Sequence, residues 1–508
     1  MAKNDKRADS GIKASRRSKA IVITLVTVFA VIVIGWFVYI SGLLPKVMTG
    51  VKIQRTVDGV TQTIDNISVA ETNYHYYQVL SSYYNYGIIN NNIDLDSVYD
   101  TTNGTTYRQL LLDQAGSELM NSVLVNEEAE ARGYLPHSGA SRYADLSVES
   151  VESTAALYGF QSVDAYLEAL YGRGMSVRIL RNCLERQALT QEYENYVRQF
   201  IFTVSEEELN AAYDANPLVY QRVDFDYYFF AGELQEDGTY DLTEATENAN
   251  TVIDNATDEA SFASEVVAII GDETAELAGF TEDYNPTHVT SYTSASCDSI
   301  VEGLSDYLFA DERVEGDTTV IESEFGVYAV MFEARSINDA PAATYRTLTM
   351  YNEAAMEQGA TPESIAAGLA EVQQRANEIA ATPMDSLAFA DTVKANSDSV
   401  SEIITAGYND GTTVTRFQAT DENPISDRDV QLGNWLFDSS RVTGDMLVLP
   451  SEDSSYVTVY YFENVVPEWM YTARTQIITS MVNSWSNDIL SDSPTYLIAY
   501  DLIRRLSN

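Results

Sequence analysis

Apolar and polar positions along this chain change period several times, and each change marks a change of element. Ala20 to Leu44 has no polar phase: it is uncharged and almost wholly apolar over about 25 residues, where roughly 20 cross a bilayer as a helix. Val51 to Thr63 alternates around Asp58-Gly59, residue types suited to a type I′ turn, and predicts a short strand pair. From Ile67 to about Phe202 the spacing is helical. Leu112, Ala115, Leu119 and Val123 recur at three- and four-residue steps, and that helix closes at Gly133. Ser162 caps a further helix carrying Tyr166, Leu167 and Leu170. Ser205-Glu-Glu-Glu208 reads as a capping box, stapled by Val204 and Leu209 and ended by Asn216-Pro217. The following run, Val223 to Phe230, is rich in strand formers and marks a new domain near residue 217.

Beyond that point the pattern repeats. Leu308-Phe309-Ala-Asp-Glu-Arg313-Val314-Glu-Gly316-Asp317 returns 128 residues later as Leu436-Phe437-Asp-Ser-Ser-Arg441-Val442-Thr-Gly444-Asp445. Ala249, Phe262 and Ala263 answer to Ala376, Phe389 and Ala390 at an offset of 127. So long a period suits duplicated domains rather than a solenoid. Each copy reads as strand, helix, helix, then strands, an α+β order. In the second copy Tyr345 to Tyr351 is the opening strand, Ile365 to Ala380 and Met384 to Ala395 are helices, and Tyr456 to Phe462 closes the sheet. Val327 to Phe332 closes the first. The tail from Pro467 reads as helical, with Ile478, Met481, Val482, Trp485 and Ile489 on one face that is expected to dock on the early helices.

Charge orients the chain. Seven basic residues, Lys3, Lys6, Arg7, Lys13, Arg16, Arg17 and Lys19, precede the apolar segment against Asp5 and Asp9, so the positive-inside rule places the N-terminus in the cytoplasm. The apolar run exceeds a signal-peptide core and no small-x-small site closes it, which argues for an uncleaved anchor. The net charge of −46 makes nucleic acid and anionic lipid headgroups poor partners. Cys183 and Cys297 fall in different expected domains with no metal-ligand spacing around either. The three histidines, His75, His137 and His288, come without any HExxH, G-x-S-x-G or P-loop pattern and read as structural, with no metal site or cofactor expected. Asn92-x-Asp94-x-Asp96 opens like a calcium loop, but Ser97 and Asn103 stand where the turn glycine and bidentate glutamate belong, so it reads as a polar loop.

Several segments carry a family resemblance. Val125-Asn-Glu-Glu-Ala-Glu-Ala-Arg-Gly133 resembles the second-helix signature of the SurA-type chaperone domain. Thr203 through Pro217 is similar to the segment that joins that domain to a parvulin-type peptidyl-prolyl isomerase module, and Leu308 to Gly316 with Phe325 to Val330 resembles the parvulin C-terminal half. The order of these segments resembles a PrsA-like or SurA-like extracytoplasmic foldase. Parvulin sites carry a pair of histidines on neighbouring strands beside a cysteine or aspartate. Here no histidine falls in a candidate strand. Asp226 and Tyr227 stand in the opening strand and Tyr328 in the closing one, and Ser455 to Tyr460 of the second copy also lacks a histidine. The resemblance therefore implies a degenerate isomerase site, with Asp226, Tyr227 and Tyr328 as its remaining candidates.

The expected organisation is a cytoplasmic basic tail (1–19), a transmembrane anchor (20–44), a helical SurA-like domain (45–217), two parvulin-like modules (218–341 and 342–466) and a helical tail (467–508) returning to the helical domain. The expected function is binding of unfolded or newly exported polypeptides. Tyr76, Tyr83 and Tyr84 are its candidate contacts, because tyrosines bury large area at low rotamer cost. An active isomerase and a non-catalytic scaffold are the alternatives. In intact, wall-stripped cells, protease added outside is expected to digest everything beyond the anchor. Protection of that region would refute the topology.

Overall fold

The computed structural model describes residues 27–29, 33, 42–281, 284–418, 425–491 and 494–506. Most of the expected anchor at 20–44 lies outside the described residues, among which no helix is long and apolar enough to cross a membrane. The protein is α+β, with several small antiparallel sheets. Two compact units divide it: 1–197 with 391–406 and 483–508, and 198–390 with 407–482.

In the first unit a short helix, Leu43–Val47, leads into β1 (Thr49–Val57) and β2 (Val60–Ser68), joined by Asp58 and Gly59 at φ 51° and 77°, the positive pair that a type I′ turn demands. The helices α1 (Val69–Asn85), α2 (Tyr107–Ala131), α3 (Ala140–Leu157), α4 (Val163–Tyr171) and α5 (Val177–Tyr196) follow. Capping boxes start the first two: Ser68 with Glu71, and Thr106 with Gln109. Leu112, Ala115, Leu119 and Val123 of α2 are all buried, as their spacing predicts. Ser162 caps α4 by accepting from the Ala165 N–H.

The second unit begins with a helix, α6 (Glu206–Ala215), whose Ser205–Glu208 capping box is reciprocal. Its first module contains β3 (Gln221–Ala231), α7 (Thr243–Asn255), α8 (Glu259–Ile270), β4 (His288–Tyr292), α9 (Ser294–Ile300), α10 (Leu304–Leu308), β5 (Thr318–Glu322) and β6 (Gly326–Ile337). The second module contains β7 (Pro341–Tyr351), α11 (Pro362–Ala380), α12 (Ser386–Asn396), α13 (Val400–Thr405), β8 (Tyr408–Thr413), α14 (Asp427–Leu436), β9 (Met446–Pro450) and β10 (Tyr456–Pro467). Both sheets are antiparallel and have one strand order, β4-β3-β6-β5 and β8-β7-β10-β9.

The repeated motif folds identically in both. The Gly316 N–H donates to Phe332 O at 2.8 Å and the Phe332 N–H to Asp317 O at 2.8 Å; the counterparts Gly444 to Phe462 and Phe462 to Asp445 measure 3.0 and 2.9 Å. Asp317 and Asp445 each accept from a valine N–H three residues back and pair with Arg313 and Arg441, both at 3.4 Å. Gly316 and Gly444 sit at φ 86° and 99°, which explains the glycine in Val-x-Gly-Asp.

Several features depart from the expected organisation. Residues 198–217 and 467–482, the latter with Ile478, Met481 and Val482, fall in the second unit rather than with the early helices. Part of the second module's sequence, 391–406, belongs to the first unit, where α13 packs on α3 and α5. The tail is not helical throughout. After α15 (Glu468–Ile489) comes β11 (Thr495–Ile498), which pairs antiparallel with β1, and then α16 (Tyr500–Leu506). Tyr496 and Ile498 lie against Gly116 of α2, where an added Cβ would meet them at 3.0 Å, while Ile503 and Leu506 join the core of Val69, Tyr76 and Leu112.

Truncation after Ser491 removes β11 and α16 and uncovers several large apolar side chains, each worth about 1.5 to 3 kcal/mol of burial. Hydrogen exchange is expected to show lost protection across residues 49–131, with both modules unchanged. A milder defect of the same distribution is expected for Gly116→Val. Loss confined to the modules would contradict this role for the tail.

Candidate functional site

In the first module, alternation along the strands sends neighbouring residues to opposite faces of the sheet. Val223, Phe225 and Tyr227 of β3 lie with Val330, Phe332 and Tyr328 of β6 against α9 and α10. Tyr228 and Phe230 lie with Val327, Ala329 and Met331 against α7 and α8. This separates the candidates that the sequence suggested. The Tyr227 and Tyr328 rings stack with centroids 6.3 Å apart, and the Tyr328 hydroxyl donates to Ile300 O at 3.3 Å within the core. Burial pushes the Tyr227 phenol above its ordinary value. Asp226 belongs to the other group of contacts.

There Asp226 meets a histidine that local sequence does not place in a strand. His288 opens β4 and stands directly opposite Asp226 in register, with its Nδ1 3.3 Å from Asp226 Oδ1. This corrects the expectation that no histidine lies on a strand of either module. Glu333 completes the group from a register break in β6, where Phe332 pairs with Phe225 and Ala334 with Asp224, a bulge that re-aims its side chain. The ligand atoms of Asp226, His288 and Glu333 all lie within 4.8 Å of one another, the one such grouping among the described residues. Glu259, the first residue of α8, approaches His288 Nδ1 to 3.9 Å.

Asp226 is completely buried, and neither carboxylate oxygen accepts a hydrogen bond of ordinary geometry from a protein group. Burial first, then the nearby Glu333 and Glu259 carboxylates, hold its carboxyl well above the usual range. Beside the group, a cavity of about 720 Å³ is lined by Glu259, Val267, Glu276, Phe280, Tyr284 and Asn285 among others. His288 and Glu333 are chemistry that no short motif announces, since each arrives from a different strand.

The tyrosines of α1 divide. Tyr76 is 4% exposed in the core and receives the Arg108 guanidinium on its hydroxyl at 3.3 Å, so it is not a surface contact. Tyr83 packs partly buried against the same core, and Tyr84 is exposed. Exposed apolar side chains cluster where α3 leads into α4: Leu157, Tyr158 and Phe160, with the Tyr166 ring 5.1 Å from Phe160 and 6.3 Å from Tyr158. Leu170, also exposed, lies near the far end of α4. In the sequence these residues read only as the end of one helix and the inside of the next.

The first unit also buries an ionisable cluster. Glu192 of α5 accepts from Ser138 Oγ at 2.8 Å and the Gly139 N–H at 2.9 Å, while its other oxygen has no hydrogen-bond partner. Lys394 donates to Tyr134 Oη and His137 O, and His137 pairs with Asp391 at 2.7 Å. Burial outweighs Lys394 and these donors, pushing the Glu192 carboxyl up to about 7 from its ordinary 4.5. His75, buried in α1, is lowered to about 3 by burial and Arg186. Cys183 and Cys297 are free and buried.

A raised folded-state value means that the Glu192 contribution is complete below about pH 4.5 and is lost as pH rises through about 7, on the order of 3 kcal/mol in all. His75 works in the opposite sense, losing stability as pH falls below its ordinary 6.5. The difference between the parent and Glu192→Gln isolates the first effect. Hydrogen-exchange protection across α5, corrected for the intrinsic pH dependence of exchange, is expected to weaken from pH 5 to 8 in the parent and much less in the variant. Equal slopes would refute the assignment.

No protein-family model matches the chain, and no curated protein matches it.

Proposed function

We propose that this protein is a membrane-anchored, extracytoplasmic polypeptide-binding chaperone of the SurA/PrsA kind, with isomerase activity weak or lost. The observation that carries the reading is the exposed apolar surface of Leu157, Tyr158 and Phe160, with the Tyr166 ring against the last two, on the first unit. Contiguous exposed apolar side chains in a folded domain mark interaction sites. Aromatic rings with polar tips suit a partner that offers many different side chains rather than one shape. An unfolded segment of an exported protein is such a partner. The architecture supports the reading: one largely helical unit draws on 1–197, 391–406 and 483–508, and two α+β modules of one strand order occupy most of the sequence between its ends.

One observation favours the enzymatic alternative, because His288 and Asp226 are a histidine and an aspartate on neighbouring strands. Two others oppose it. Asp226 has no exposed surface to offer a substrate, and the Tyr227 and Tyr328 rings are packed together against the other face. A twisting prolyl bond has a barrier of about 18 to 20 kcal/mol, and Asp226, Tyr227 and Tyr328 do not converge on one solvent-facing place to lower it.

The purified protein is expected to slow aggregation of a chemically unfolded model protein while scarcely accelerating prolyl isomerisation of a short peptide. Tyr158→Ser with Phe160→Ser is expected to reduce the first activity several-fold with little change in melting temperature, since exposed positions usually alter stability by about 0.5 kcal/mol or less. Isomerase turnover abolished by His288→Ala would establish the enzyme instead. Loss of neither aggregation nor isomerisation activity, because neither exists, would leave the scaffold.

A further inference from the structure

The two modules descend from one pattern, so each position in one has a counterpart in the other. Phe332 and Phe462 make the same backbone exchange with the Gly-Asp turn. Phe332 pairs with Phe225 and Phe462 with Tyr345, which equates Asp226 with Arg346 and Glu333 with Glu463. Both glutamates sit at the same register break. His288 opposes Asp226 and Tyr408 opposes Arg346, and the 127-residue offset of the helices equates Glu259 with Ser386.

The second module neutralises this place from within. Arg346 is 2% exposed, its Nε donates to Glu463 Oε1 at 2.6 Å, and its Nη1 donates to Gln199 Oε1 at 2.9 Å. The Tyr408 ring lies 5.0 Å from the guanidinium, and Ser386 donates to the second Glu463 oxygen at 2.5 Å. One cation, one carboxylate, one hydroxyl group and one aromatic ring face make a satisfied set.

The first module has the carboxylate and lacks the cation. Where Arg346 would be there is Asp226, where Ser386 would be there is Glu259, and where Tyr408 would be there is His288. No lysine occurs between residues 218 and 341, and its three arginines are engaged elsewhere: Arg222 with Glu468, Arg313 with Asp317 and Arg335 with Phe309 O. A buried carboxylate facing two others is costly unless something positive accompanies it.

We propose that the first module binds one divalent transition-metal cation, of the zinc or manganese class, between Asp226, Glu333 and His288, with Glu259 at its edge. An imidazole nitrogen together with carboxylates suits such ions, whereas calcium and magnesium prefer oxygen alone. The cation stands where the second module has its guanidinium. It joins β3, β4 and β6 to the start of α8 and braces the module rather than reacting with a substrate. The inference is independent of client binding.

The test uses the purified full chain after chelator treatment, titrated at pH 7 with zinc, manganese and calcium chlorides by calorimetry and followed by thermal unfolding. One equivalent of zinc or manganese is expected to bind and to raise the melting temperature of the second unit, with calcium far weaker. Asp226→Asn and His288→Gln are expected to weaken binding at least 10- to 100-fold, and His137→Gln, on the first unit, to leave it unchanged. A triple variant, Asp226→Arg with His288→Tyr and Glu259→Ser, copies the second module's set and is expected to lose the metal response while folding without metal. Binding that survives Asp226→Asn overturns the proposal. So does a parent whose melting temperature ignores both metals while Asp226→Asn raises it, the mark of a protonated aspartic acid sharing a hydrogen with Glu333.

Discussion

The outer edge of β1 must pair its backbone groups, and the strand that pairs them is β11, from the other end of the chain. Unpaired edges are costly inside a fold and hazardous outside it. Because Val51 to Gln54 take their partners from Thr495 to Ile498, the sheet of the first unit is complete only once that distant segment has joined it. Everything from residue 198 to 482, apart from 391–406, is therefore an insertion into that unit. Ile503 and Leu506 then fill the core beneath, so the same return that satisfies hydrogen bonds also buries apolar area.

How much of this was legible depends on whether the cause is local. Asp58 and Gly59 announce their hairpin because few other residues accept positive φ, and the Ser205–Glu208 box announces α6 because its donors lie within one turn. The repeated Val-x-Gly-Asp motif was readable for the same reason: its glycine, aspartate and valine satisfy one another. β4 and β11 were not. His288 to Tyr292 is five residues with little apolar alternation after Asn285-Pro286, and Thr495 to Ile498 is four. Each is a strand because a distant strand pairs with it. The placing of 391–406 in the first unit has the same origin, since Lys394 finds Tyr134 and His137 only across the fold.

The candidate site follows the same division. Asp226, Tyr227 and Tyr328 are candidates because the resemblance places a site in these strands, but a strand's alternation places Asp226 and Tyr227 on opposite faces. Tyr76 and Tyr84 likewise share a helix and a residue type, and tyrosine serves both a core and a surface. Tyr76 takes the core role, with Arg108 of α2 on its hydroxyl, and Tyr84 the surface one. Chemistry assembled from β3, β4, β6 and α8 leaves no spacing to read.

Duplication exposes what that chemistry must accomplish. At one structural place the second module set an arginine against Glu463 and the first an aspartate beside Glu333, and a substitution of that kind reverses the local charge in a buried site. A single carboxylate opposite a guanidinium is internally balanced. Two carboxylates with a third nearby are balanced by protons or by a cation from solution, and the choice changes what the neighbour should be. Proton sharing asks nothing of the strand opposite Asp226, where an apolar residue would serve as well. A histidine directed at the aspartate, in place of the tyrosine that covers Arg346, supplies a nitrogen donor at the one position where a metal ion has use for it. Glu259 in place of Ser386 adds a further anionic group at the rim, which would worsen an uncompensated site and improves a cationic one. The replacements thus agree in direction, and that agreement, more than any single distance, favours the cation over the shared proton.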